Sequence, residues 1–440
     1  MTQISSRPKQ SPLFGNDRIT RLPFRAATAS VRDWVCALLA SDDRFWPFFA
    51  CGVGLLAFFR GVRLPGSWAA TQAQLDYSFG FVKRGLFGEM MDLLNIHHYL
   101  PFVLLCYVIL AGFILLLWKY SLGREAESKD FVIAAVFFSS LAFTYFVNLV
   151  GYLEIFQGLL VIATLFIPKI SIRATIAIAV AICGTLIHEL FVVVYLPLLL
   201  LDGILASNTV VAEKRVAKNF AMAYAVSLMA FTVGVALIAA RRPSLSGAEI
   251  SLYSRLVSQK VDFPIRGGCI EVLGRSLRDN MAFMHSWVHN RVWLHNQVDG
   301  FLEFAPASLF FLFLSFRLVY REYPCKSKAF LLTCICLVSL SPLTMNLFGV
   351  DIYRWFALAS LNTFLAFVMV RRYAGGSGAL AGRGGISVSL RNAAVLLIVI
   401  NLSCGSGLMD EYSVRTFPFT HIVKLWISSA RHRQFPLPPN

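Results

Sequence analysis

The chain has 440 residues, of which 57% are hydrophobic and only 15% are charged, and its mean hydropathy is +0.66. Because soluble domains carry roughly a quarter of charged residues, this composition excludes a soluble class and predicts an all-α, polytopic helical membrane protein. Much of the formal net charge of +16 lies in loops between apolar segments. There it sets topology and meets anionic membrane lipids, so we expect no nucleic-acid partner.

Three regions follow from the distribution of apolar residues. Residues 1–44 are predicted to form a basic cytoplasmic tail without a cleavable signal peptide, residues 45–409 a transmembrane domain, and residues 410–440 an external tail. Basic loops mark the inner side and place the N-terminus in the cytoplasm. About eleven transmembrane helices are expected, at 45–59, 100–118, 131–150, 155–167, 174–187, 191–206, 220–240, 301–316, 329–350, 355–370 and 393–409.

The first external loop, residues 72–98, combines acids, adjacent bases and glycines. A helix over 79–94 would collect its apolar residues on one side, which is typical of a helix in the membrane interface. Lys83 and Arg84 stand among three glycines that weaken a helix and leave the backbone open, so we predict that they bind an anion. The alternative is an interfacial anchor that touches lipid headgroups.

Asp76 precedes this predicted helix in the same loop. A carboxylate beside two cations can act as a general base for a reaction on an anionic group. The alternative is that Asp76 caps the interfacial helix.

Further ionisable residues lie at the tips of predicted outer turns: Glu154, the pair His188 and Glu189, and the pair Asp351 and Arg354. Ionisable groups at membrane depth are costly and therefore candidates for function. His188 and Glu189 are adjacent, and the zinc-protease spacing is absent. A divalent cation held by Glu154 or Glu189 is one alternative. Arg354 is expected either to pair with Asp351 or to point at a ligand phosphate.

The long external loop, residues 241–299, carries His285, His289 and His295 together with several arginines. Trp287 and Trp293 alternate with the histidines, which favours helices lying in the interface over a metal site. No cysteine or acid completes a zinc ligand set. Because this ligand set is incomplete, we predict no bound metal, with the divalent cation considered above as the alternative. Phosphate-binding, dinucleotide-binding and serine-hydrolase motifs are absent from the sequence, so no soluble-enzyme motif indicates a function.

The arrangement of a first span, an external loop with Asp76 and an amphipathic helix, and many spans joined by short hairpins resembles the glycosyltransferase-C superfamily. The resemblance implies a polyprenyl-phosphate-linked sugar donor, with Asp76 as the catalytic acid residue of the first loop. Lys83, Arg84 and Arg354 would be the cations that hold lipid phosphate. The chain departs from the acidic doublet of many members, since Tyr77 follows Asp76.

The resulting expectation is a glycosyltransferase at the outer face of a bacterial inner membrane, with a glycan or lipid as acceptor. Asp76, Glu189 and His188 are the catalytic candidates; Lys83, Arg84, Glu154, Asp351 and Arg354 are the candidates for substrate binding. Two alternatives remain. One is a glycan polymerase similar to those of O-antigen or capsule synthesis, and the other is a non-enzymatic transporter or flippase of an anionic glycolipid.

Overall fold

The computed structural model is all-helical wherever it describes the chain, and it contains no strand there. It describes residues 45–80, 82, 84–123, 126–209, 224, 228–229, 232–234, 245–288, 290–323, 325–347, 349, 351–374 and 388–403. The predicted tails at 1–44 and 410–440, and most of the predicted span at 220–240, lie outside these residues.

Seventeen α-helices are numbered here in chain order within the described ranges. They are α1 Phe45–Gly61, α2 Ser67–Gln72, α3 Gly85–Leu93, α4 Tyr99–Leu122, α5 Ser128–Phe138, α6 Leu141–Asn148, α7 Leu153–Leu165, α8 Ile170–Ile187, α9 Phe191–Val194, α10 Leu196–Thr209, α11 Gly247–Lys260, α12 Gly267–Glu271, α13 Leu277–Val288, α14 Arg291–Glu322, α15 Cys325–Leu340, α16 Ile352–Tyr373 and α17 Val388–Ser403. Two 3₁₀ segments, Val272–Gly274 and Ser341–Leu347, follow α12 and α15.

Five helical segments in the described ranges are long and apolar enough to cross a membrane, or six if a bent pair is one span. The class of a multi-pass helical membrane protein is therefore supported, but the predicted number of about eleven spans is not confirmed. Several predicted spans are helical yet short for a hydrocarbon core of about 30 Å, because a helix rises only about 1.5 Å per residue. These shorter apolar helices are Phe45–Gly61, Leu153–Leu165, Phe191–Ala206 and Leu390–Ser403.

Helix α16 is the centre of the bundle, with 89% of its most apolar window buried inside the protein. It packs against α6, α10, α14 and α15. The ring of Phe364 stacks on that of Phe137 at 4.2 Å between centroids. The side-chain amide of Asn362 donates to the carbonyls of Val194 at 2.7 Å and Val338 at 3.1 Å. Asn362 thus satisfies a carbonyl at the break between α9 and α10, which no water can reach in a membrane interior.

The predicted span at 131–150 is interrupted, since α5 and α6 meet at an angle of 59°. The hydroxyl of Ser140 caps α6 by accepting from the backbone of Phe143. Asn401 of α17 donates to the Val136 carbonyl and to the Ser139 hydroxyl, both at 3.1 Å. These polar contacts replace the hydrogen bonds that the interruption removes from the helix.

Buried ion pairs lie near both ends of α16. At its N-terminal end Arg354 pairs with Glu154, and at its C-terminal end Arg371 pairs with Asp130 at 2.7 Å. The two arginines are separated along the helix by roughly 25 Å, because the rise is about 1.5 Å per residue. This separation is close to the thickness of a bilayer's hydrocarbon core, so the apolar middle of the bundle is bracketed by two polar layers.

Two segments that are distant in sequence form a cap, defined here as residues 62–98 and 245–275. Their shared apolar cluster contains Leu75, Val82, Tyr253, Val257, Cys269, Ile270 and Leu273. The carboxylate of Asp262 accepts from the backbone of Tyr99 at 2.8 Å, and the backbone of Arg266 donates to the Thr71 hydroxyl at 2.8 Å. The described part of the long loop is helical, as the sequence predicts.

The predicted interfacial helix over 79–94 is too long at its N-terminal end, because α3 begins only at Gly85. Gly80 has φ +78° and closes a turn onto the carbonyl of Tyr77, and Arg84 has φ +66°. Both conformations are left-handed and therefore incompatible with a continuous right-handed helix.

The glycines of α3 provide close packing, rather than the ligand access that the sequence suggested. A β-carbon at Gly85 would overlap the ring of Tyr77, and one at Gly88 would overlap the backbone of Leu75 and Asp76. Helix α3 also contacts α8, and Phe87 packs on Phe156 of α7 at 5.2 Å. Packing on both sides therefore fixes the start of α3.

We expect Gly88→Ala to lower stability by roughly 1–3 kcal/mol, because the added methyl group forces the backbone of Leu75 and Asp76 away from α3. Gly52→Ala is the matched control, since nothing lies within 4 Å of a β-carbon there. Thermal unfolding of the purified chain in detergent measures both. Equal melting temperatures for the two variants would contradict this packing.

Candidate functional site

A connected group of ionisable side chains lies where the cap meets the helix bundle. It contains six residues from four separate segments of sequence: Arg84, Glu154, His188, Glu189, Asp351 and Arg354. All six are among the residues that the sequence singles out. We call this group the ionic network.

Arg84 enters the ionic network from the cap with a strained backbone. Its φ of +66° is rare for a residue with a β-carbon and costs about 1–2 kcal/mol. Its guanidinium donates twice to Glu189, from Nη2 to Oε1 at 2.6 Å and from Nε to Oε2 at 3.1 Å. Burial acts to raise the pKa of Glu189, but the charge and hydrogen bond of Arg84 outweigh it, so the pKa lies below its usual value of 4.5. Glu189 is therefore a carboxylate at neutral pH.

His188 follows the last residue of α8 and is buried. Its Nδ1 accepts from the backbone N–H of Leu190 at 3.1 Å, which leaves the proton on Nε2. Nε2 faces Oε1 of Glu154 at 3.7 Å. Burial, reinforced by the charge of Arg84, holds the pKa of His188 well below its usual value of 6.5. His188 is therefore neutral and carries its proton toward Glu154.

Glu154 and Arg354 form the most deeply buried part of the ionic network. One carboxylate oxygen of Glu154 pairs with Nη2 of Arg354, whose Nη1 also donates to Asp351 at 3.1 Å. The Arg354 guanidinium lies over the rings of Tyr152 and Trp355, at 5.3 and 5.2 Å from their centroids. Oε2 of Glu154 has no hydrogen-bond partner among the described residues. A buried acceptor without a donor is unusual in a folded protein, so this oxygen is a notable feature of the ionic network.

Asp76 lies inside the cap, and its contacts within the described part of the chain are with cap residues. Its Oδ1 accepts from the backbone of Ser78 at 3.0 Å, and its Oδ2 accepts from Lys260 at 3.0 Å. Lys260 also pairs with Asp92. Burial acts to raise the pKa of Asp76, but the bonds from Ser78 and Lys260 outweigh it, so the pKa falls below its usual 3.8. Asp76 neither caps α3 nor joins the ionic network, and its geometry suits a role in holding the cap.

The remaining candidates contribute less to this site. Lys83 and His289 lie outside the described residues. No group of three or more His, Cys, Asp or Glu side chains in the described ranges is arranged to hold a metal ion. Glu154 and Glu189, the two carboxylates considered for a divalent cation, each pair with an arginine. A cation there would have to displace a guanidinium.

Two residues that position the site are missing from the sequence interpretation. The Gln157 amide donates to the carbonyls of Gly184 at 2.8 Å and His188 at 2.9 Å, and so fixes the end of α8. Its spacing of three residues from Glu154 places both on one helix face, a signal that the sequence does contain. Lys260 joins two parts of the cap, and no local sequence pattern predicts its pairing with Asp76.

Comparison of the chain with protein-family models, curated proteins and solved structures finds no match. The class that the fold itself defines is a multi-pass helical membrane protein. Its distinguishing feature is the ionic network at one end of the bundle, covered by a cap built from two loops.

Acidification should destabilise the protein through His188. A group with a lowered pKa binds fewer protons when folded, so stability is complete above pH 6.5 and falls as pH decreases toward the folded pKa. Between pH 7 and pH 5 the loss should be about 2 kcal/mol. The pKa values of Glu189 and Asp76 lie below this window, so neither contributes to it.

His188→Asn should remove most of this pH dependence, because its amide oxygen can still accept from Leu190 but does not titrate. His98→Asn, at an exposed histidine that pairs with Asp262, is the control and should keep the loss. Unfolding in detergent at pH 7 and pH 5 measures all three proteins. An unchanged pH dependence in the His188 variant would contradict the assignment.

The cap role of Asp76 is tested by a double-mutant cycle with Lys260. Asp76→Asn and Lys260→Met should each lower stability. Because the two single variants remove the same ion pair, the double variant should lose about 1 kcal/mol less than the sum of their losses. Denaturation of the four proteins provides the coupling energy. Strict additivity would show that the pair does not hold the cap.

Proposed function

We propose that this chain is a membrane glycosyltransferase that uses a polyprenyl-phosphate-linked sugar, with the ionic network as its active site. The observation that carries the proposal is the convergence of Arg84, Glu189, His188, Glu154 and Arg354 at one end of the bundle. Burying this many charges is expensive, and the cost is difficult to explain by stability alone.

Arg84 is the group that suits lipid phosphate. Its guanidinium already binds an anion through two parallel hydrogen bonds, the geometry in which arginine also binds phosphate. The predicted topology places Arg84 on the outer side of the membrane, where a polyprenyl donor would present its headgroup. A strained backbone that persists at this position supports a functional role.

Glu189 is the group that suits the general base. It is ionised and partly exposed, whereas Glu154 and His188 are buried. In the proposed reaction, the proton of the acceptor hydroxyl passes to Glu189 while the hydroxyl oxygen bonds to the anomeric carbon. The bond from that carbon to the phosphate oxygen breaks, its electron pair leaves with the phosphate, and Arg84 neutralises the added charge. His188, Glu154 and Arg354 hold this end of the bundle in place.

A second candidate is transport of an anionic glycolipid. The 59° interruption between α5 and α6 favours it, because transporters commonly place substrate sites at broken membrane helices. In that function the same arginines would bind the substrate during passage without chemistry.

Deletion of the gene, followed by mass spectrometry of lipid-linked glycans, separates these functions. A transferase defect should accumulate the lipid-linked donor and an acceptor that lacks one sugar. A polymerase defect would accumulate single lipid-linked repeats, and a transport defect would accumulate finished glycolipid on the inner leaflet.

Complementation of the deletion strain with variants then tests individual residues. Glu189→Gln and Arg84→Ala should each reduce clearance of the accumulated donor by roughly 10-fold or more, about 1.4 kcal/mol. Asp262→Asn is the matched control, since it makes the same acid-to-amide change at an exposed carboxylate of the cap and should restore clearance. Full activity of Glu189→Gln at normal protein level would remove this mechanism.

A further inference from the structure

One ion pair in the ionic network joins a buried arginine to a carboxylate that is partly exposed. Glu154, Asp130 and Asp202, which pair with Arg354, Arg371 and Arg173, are 0%, 0% and 5% exposed. Asp351 is 36% exposed, but its partner Arg354 also holds the buried Glu154. Glu189, the partner of Arg84, is 41% exposed, although Arg84 itself is only 12% exposed. The pair is therefore open at the surface of the protein from the carboxylate side, while the guanidinium is largely buried.

The backbone of Arg84 is fixed independently of Glu189. Its backbone is held at φ +66° by the turn that precedes α3 and by the packing of Gly85 against Tyr77. Glu189, in contrast, lies in the short connection between α8 and α9. The backbone that carries the guanidinium is thus fixed by packing, whereas the carboxylate stands on a short connection between two helices.

From these observations we infer that Glu189 is an internal occupant of an anion site on Arg84, and that a donor lipid of the diphosphate class displaces it. The identity of the anion rests on the proposed function. A diphosphate presents the same pair of oxygens to the guanidinium fork and carries more charge than a carboxylate. Donor binding and release of the base are then coupled, because phosphate can bind Arg84 only when Glu189 has left it.

This exchange has a consequence for catalysis. While Arg84 pairs with Glu189, the carboxylate is a weak base, so an acceptor alone is not activated. After exchange, the positive charge neutralises the leaving phosphate, and Glu189 is available for the acceptor hydroxyl. The exchange itself breaks only the two hydrogen bonds of the ion pair and forms equivalent bonds to phosphate oxygens, so no covalent bond changes at this stage.

Binding of inorganic pyrophosphate to the purified full-length chain in detergent tests the inference by calorimetry. If Arg84 is free of Glu189 only about a tenth of the time, removing the competitor should tighten binding about tenfold. We expect this tightening in Glu189→Gln and also in Glu189→Asp, which keeps the charge but is too short to reach both guanidinium nitrogens. Arg84→Ala should weaken binding at least tenfold, alone and combined with Glu189→Gln.

Asp262→Asn is again the control, because it removes one negative charge from the exposed surface of the cap without touching Arg84. Its affinity should stay within about twofold of wild type, as expected for an exposed charge screened by salt. Unchanged or weaker pyrophosphate binding in folded Glu189→Asp would overturn the inference, and so would binding that does not depend on Arg84. The donor-clearance assay tests the proposed function separately. If the variants clear the donor normally, the transferase proposal is wrong, but tighter pyrophosphate binding would still support the exchange. If pyrophosphate binding is unchanged, only the exchange is wrong.

Discussion

The ion pair between Glu154 and Arg354 is the interaction on which the rest of the structure depends. It joins α7 to the central helix α16 at a point where the carboxylate is completely buried. Removing one partner of such a pair leaves an uncompensated charge, at a cost of about 3–5 kcal/mol. The same pair sets the position of His188, whose Nε2 faces Glu154, and His188 in turn precedes Glu189. The end of the bundle is therefore ordered by charge, whereas its middle is ordered by aromatic packing around Phe364.

The cap depends on this end of the bundle and also completes it. Packing of α3 on α7 and α8 brings Arg84 to Glu189, so the cap and bundle share one ion pair. Lys260, between Asp76 and Asp92, then ties the two segments of the cap together. The strained backbone at Arg84 is maintained because Tyr77 and Leu75 pack closely against Gly85 and Gly88 of α3. The position of the candidate base and its cation thus follows from packing rather than from local sequence.

The sequence was sufficient to predict the helical class and the residues of the ionic network, because acids and bases between apolar segments are conspicuous. It could not predict which of them pair, since Arg84 and Glu189 are 105 residues apart and Arg354 and Glu154 are 200 apart. The role of Asp76 as a general base stays a prediction; its pairing with Lys260, 184 residues away, could not be predicted for the same reason. Gly85 and Gly88 were interpreted as open backbone, whereas the space beside them is filled by Tyr77 and Leu75. A local pattern indicates that a side chain is unusual, but the partner that explains it comes from tertiary structure.

The sequence distance between Glu154 and Arg354 also constrains how the protein is made. At about 5–20 residues per second, a ribosome needs roughly 10–40 s to synthesise the 200 residues that separate them. During that time α7 has left the ribosome with a carboxylate whose partner does not yet exist. Since an unpaired charge is costly to bury, we expect the Glu154 carboxylate to stay in contact with water until Arg354 has been synthesised. Assembly of this end of the molecule is therefore a late event in biogenesis, and α16 is the helix that completes it.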